Sequence, residues 1–119
     1  MKLFAEILIG LVAFLHLYFL WLEMFAWTSR GPKAFKKPVE YFKATRSLAA
    51  NQGLYNGFLA AGLIWSLFIV DPAWHFRVAV FFLSCVFIAG IYGAATVQRS
   101  IFFIQALPAG IALTVLSFM

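Results

Sequence analysis

The sequence predicts an all-α integral membrane protein, a four-helix antiparallel bundle, and three observations lead there. The first is composition: 65% of the 119 residues are hydrophobic and only 11% are charged, against about half and a quarter in soluble domains. A water-soluble fold of this length keeps too much surface exposed to hide that many apolar side chains. The second is the spacing of four apolar stretches, each close to the roughly 20 residues a helix needs to cross a bilayer. The third is pattern. Only helices and closed barrels satisfy their backbone groups in lipid, and these stretches lack the alternation of barrel strands.

The predicted helices run over Leu3–Trp27, Leu48–Val70, Ala73–Thr96 and Ile101–Phe118, in a single transmembrane domain, residues 1–119. The first is too long, and too aromatic at its end, for a cleaved signal peptide, whose apolar region usually spans about 7–15 residues. Asp71-Pro72 makes a tight turn with proline where a helix begins. Ser100 is placed to cap the fourth helix, and Pro108 to kink it. Residues 28–47 form the one long polar connection, in which Pro38 starts an amphipathic helix carrying Val39, Tyr41 and Phe42.

The net charge is +5, and six of the nine basic residues fall between Arg30 and Arg46. Together with Arg99, these lie on one side of the predicted membrane and leave only Lys2 and Arg77 on the other. The positive-inside rule then places the first loop in the cytoplasm and both termini outside. The same loop is suited to anionic lipid headgroups. With no folded soluble domain to present the patch, nucleic acid is not an expected partner. Cys85 is the single cysteine and reads as a small apolar side chain.

Within lipid the polar residues are informative, because each is costly to bury without partners. At about 100° per residue, His16 and Glu23 share a face of the first helix, and Gln52, Tyr55 and Asn56 share one of the second. Phe81, Ser84, Cys85, Ile88 and Tyr92 align on the third helix, and Gln105 with Ala109 and Ala112 on the fourth. Counted from the cytoplasmic helix ends, Glu23, Gln52, Tyr55, Asn56, Tyr92 and Gln105 lie within roughly 5–10 Å of that interface. The expectation is a cytoplasm-facing polar chamber that binds or helps transport a small molecule, with His16 near the midplane at its closed end. The alternative is interhelical glue, in which these amides and phenols only lock the bundle. His16 and Glu23 are two turns apart, about 10 Å, too far to share a metal directly. No metal, cofactor or catalytic signature is expected, although an enzyme acting on a lipid or isoprenoid through Glu23 and His16 is a third reading. Ala49, Gly53, Gly57 and Ala61 form a small-residue ladder that grips either another helix of the chain or a second copy in a homodimer through Gly53 and Gly57.

The segments LVAFLHLYFLWLEMFAWTS and LAANQGLYNGFLAAGL, with the short QRS link before the last helix, resemble the DUF1304 family of small bacterial membrane proteins over essentially the whole chain. Its signature falls here on His16, Glu23 and the run Asn51 to Gly57. The resemblance implies a four-helix protein of the bacterial cytoplasmic membrane and implies no activity.

Overall fold

The computed structural model describes all residues, 1–119, and is entirely helical. Its elements are α1 (Lys2–Phe25), α2 (Gly31–Phe35), α3 (Val39–Ala44), α4 (Arg46–Phe68), α5 (Pro72–Thr96), a π turn (Phe102–Ala106) and α6 (Leu107–Ser117). The chain divides into two compact units, one of residues 14–60 and the other of residues 1–13 with 61–119.

In the unit of residues 14–60, the polar connection is folded rather than open. α2 carries Pro32 in its first turn, where the missing N–H costs nothing, and ends with Lys36 in the left-handed conformation, φ 54°. Pro38, extended at ψ 149°, then starts α3. What holds these two short helices is aromatic. The rings of Trp27 and Phe42 meet edge-on at 4.9 Å, with Phe35 at 5.8 Å from Trp27. Phe42 is fully buried and lies over Gly31, where a Cβ would come within 2.6 Å of its ring. The Trp27 indole donates to Thr45 Oγ1 at 2.9 Å, and that hydroxyl donates in turn to the Tyr41 carbonyl at 2.7 Å. The amphipathic segment expected after Pro38 therefore divides, with Phe42 turned inward and Val39 and Tyr41 exposed.

In the other unit, α5 opens on Asp71, whose carboxylate accepts from Trp74 N at 3.0 Å while Pro72 takes the first helical position. Its buried stripe is His75, Val78, Ala79, Leu83, Val86 and Gly90, a helical period that packs against Ala109, Ala112 and Leu116 of α6. Gly90 is needed for that packing, since a Cβ there would stand 2.5 Å from the backbone nitrogen of Ala106. Ala106 closes the π turn, in which Leu107 N–H reaches back five residues to Phe102. Pro108 follows at once. It has no N–H to offer, and its ring clashes with the carbonyl of residue i−4 in a regular helix. The widened turn is how the chain accommodates it. Ser100 accepts a hydrogen bond from the Gln98 amide instead of capping the helix.

Candidate functional site

The polar residues that the sequence aligns are not all brought together. Glu23 is on the last turn of α1 and Asn56 is near the middle of α4. Two glycines let these helices approach. A Cβ at Gly53 would lie 2.7 Å from Met24 and 3.0 Å from Glu23 Cβ, and one at Gly57 would lie 2.5 Å from Leu20. The small-residue face thus receives α1 of the same chain. The approach brings Asn56, which is buried, within reach of the carboxylate, and Asn56 Nδ2 donates to Glu23 Oε1 at 2.5 Å. Glu23 is partly buried, and its other oxygen, Oε2, has no protein hydrogen-bond partner.

His16 lies two turns before Glu23 and is fully buried, with its ring edge-on to Phe19 at 5.3 Å. Gln52 and Tyr55 are exposed, and Tyr55 makes only a ring contact with Phe58, at 5.8 Å. Tyr55 sits 100° around the helix from Asn56, so turning the amide inward turns the phenol outward. Tyr18 is a partner that the sequence reading missed. Its hydroxyl accepts from Arg30 Nε at 3.4 Å, joining α1 to the start of the basic segment. The 12-residue spacing gives no periodic signal for that contact.

Tyr92 and Gln105 belong to the other unit. The α5 face that the sequence reading turned inward faces out: Phe81, Ile88 and Tyr92 are 62, 66 and 70% exposed. The buried stripe is instead the small and branched one ending at Gly90, because close packing against α6 rewards the absence of side chain there. Gln105 is half-buried within the π turn.

A family model described as "Protein of unknown function (DUF1304)" matches residues 10–117. The chain belongs to the DUF1304 family. It is 29% identical over 108 residues to the "Uncharacterized protein YpaA" of Lactococcus lactis subsp. lactis (strain IL1403), covering 88% of this chain and 89% of that one. No solved structure matches. The matched region holds both members of the Glu23–Asn56 pair, the basic segment and the π turn.

Proposed function

We propose that this DUF1304 protein is a four-helix protein of the bacterial cytoplasmic membrane that binds, or helps to carry, a small molecule at the Glu23–Asn56 pair. Two helices, α1 and α5, are long and apolar enough to cross a membrane. Only 28 and 22% of their most apolar stretches are buried within the protein, where the core helix of a soluble protein is mostly buried. Phe14 and Phe81, 67 and 62% exposed, have an apolar solvent only if it is lipid. The polar start of α4 and the proline-broken last helix complete the set of four crossings, with the basic segment in the cytoplasm and both termini outside.

The observation that carries the binding role is the half-used carboxylate. One oxygen is fixed by the Asn56 amide and the other has no protein partner. A carboxylate in that position calls for a donor, and a ligand ammonium, amide or hydroxyl supplies one. In this reading Glu23 anchors the ligand, Asn56 orients the carboxylate, and Gln52, one helical turn before Asn56, extends the hydrogen-bonding surface.

The close fit of Gly53 and Gly57 against Leu20 and Met24 favours a second reading, in which the same pair only locks α1 to α4 in a structural or accessory protein. One experiment separates the two. Wild-type protein and Glu23→Gln are reconstituted in nanodiscs, incubated with a pooled extract of bacterial metabolites, washed, and examined by untargeted mass spectrometry. The binding reading expects retained molecules on the wild type that the variant loses, with the two unfolding at similar temperatures. A wild type that retains nothing, with a variant that melts earlier, establishes the lock.

A further inference from the structure

Within the unit of residues 1–13 and 61–119, a cavity of about 900 Å³ opens where the first turns of α1 and α5 meet the last turns of α4 and α6. That volume is within the range of small-ligand sites, about 300–1,000 Å³. Its wall combines Lys2, Glu6, His75 and Arg77 with apolar side chains such as Leu67, Phe76 and Leu116. Arg77 is held in place by the Trp74 ring, 5.1 Å from its guanidinium carbon.

His75 is the unusual member. It is only 8% exposed, and its Nδ1 lies 2.6 Å from the Ser66 carbonyl at the end of α4. A carbonyl only accepts, so Nδ1 carries the hydrogen, and the Nε2 of the neutral ring is left with a lone pair. Nε2 is buried and has no partner. Sealed polar atoms of this kind are rare in folded proteins and call for an explanation. The missing partner is a donor.

We infer that this cavity binds the headgroup of a primary-amine phospholipid of the phosphatidylethanolamine type. The phosphate pairs with Lys2 and Arg77, the ammonium donates to His75 Nε2 and Glu6, and the acyl chains follow Leu67, Phe76 and Leu116. Each sign of charge in the wall then meets its opposite in one molecule. The apolar share of the wall selects an amphiphile over a free phosphorylated amine. A divalent cation is disfavoured by Lys2 and Arg77. The inference rests on the membrane placement proposed above and is independent of the Glu23 site.

The quaternary analogue, phosphatidylcholine, makes the test sharp, because it has the same phosphate and net charge but no N–H to donate. The purified chain of residues 1–119 in detergent is titrated with short-chain phosphatidylethanolamine, phosphatidylcholine, phosphatidylglycerol or soluble phosphoethanolamine, following bound lipid by native mass spectrometry and stability by thermal unfolding. Wild type should prefer the ethanolamine lipid over the choline lipid by about a hundredfold, as the loss of two hydrogen bonds from a charged donor, to His75 and to Glu6, implies. In His75→Asn the amide still donates to the Ser66 carbonyl but Nε2 is gone, and the preference should fall by about tenfold, leaving the share due to Glu6. Glu6→Gln should weaken the same preference and serves as the readout if the histidine variant does not fold. Equal binding of the two lipids by wild type, or an undiminished preference in the folded variants, overturns the inference. So does tighter binding of the glycerol lipid, or equal binding of soluble phosphoethanolamine. Failure of membrane placement is read separately: a chain released from membranes by alkaline carbonate was never lipid-embedded.

Discussion

Asn56 and Glu23 depend on each other unequally. Removing the amide strands a partly buried carboxylate, whereas Glu23→Gln leaves a carbonyl that still accepts from Asn56 Nδ2. Loss of a partner by a buried charged group costs about 1.5–3 kcal/mol and loss of a neutral hydrogen bond nearer 1. Asn56→Ala is therefore expected to destabilise the protein by about 2 kcal/mol and Glu23→Gln by less than 1, compared by reversible denaturation in mixed micelles. Equal losses would mean that the amide contributes packing rather than charge pairing. The same reasoning applies to Trp27→Phe, which keeps the ring against Phe42 and Phe35 but deletes the donor to Thr45. A loss of about 1 kcal/mol is expected. At this scale the sequence was informative about Glu23 and Asn56, because a charged residue and an amide in apolar runs stand out. It was silent on which neighbours would be paired. Gln52 and Tyr55 fall within one turn of Asn56 and still end at the surface, since helical phase is relative until a contact fixes it.

Between helices the decisive residues are the ones with least side chain. Gly90 faces backbone, not a flexible chain end: a methyl there would meet Ala106 N at 2.5 Å and Ala106 Cα at 2.9 Å. Neither can yield without moving the π turn. Gly90→Ala is therefore expected to cost about 1–3 kcal/mol, in the range of an overpacked core. Gly10, with nothing within 4 Å of the same added atom, should tolerate alanine with little loss or a small gain. Parallel unfolding curves for the pair check the contrast, and similar midpoints would refute the packing argument. Elements of this kind were partly legible. Asp71-Pro72 announces a cap followed by a first-turn proline, and α5 begins there. Pro108 announces a break, but whether the chain kinks, frays or widens into a π turn depends on what packs beside it. Pro38 announces the helix that follows it, and α3 begins there, whereas α2 was hidden by its charge. Five of the residues 31–43 are Lys or Glu, and it is Phe35 and Phe42 meeting Trp27, a contact made across the turn after α1, that folds them.

For the molecule as a whole, composition spoke more clearly than any motif. An all-helical chain follows from apolar runs that have no alternation, and the exposed phenylalanines of α1 and α5 are what such runs must show if lipid is their solvent. What composition cannot reveal is how the chain divides into compact units, because that depends on which contacts cluster in space. It does supply a topological expectation. Arg30, Lys33, Lys36, Lys37, Lys43 and Arg46 are all exposed on the segment after α1, whereas the starts of α1 and α5 carry only Lys2 and Arg77. Translocating the first group across the membrane would be far costlier than translocating the second. The prediction uses the protein's single cysteine. In a Cys85→Ser background, Lys36→Cys should resist a membrane-impermeant maleimide in intact cells and react once the cells are permeabilised. Ala73→Cys, beside the Asp71-Pro72 turn, should react in both. The reverse pattern would invert the orientation and put the basic segment outside. Reaction of both sites only after permeabilisation would deny that α4, the long helix between them, crosses the membrane, and the four-crossing reading would fall with it.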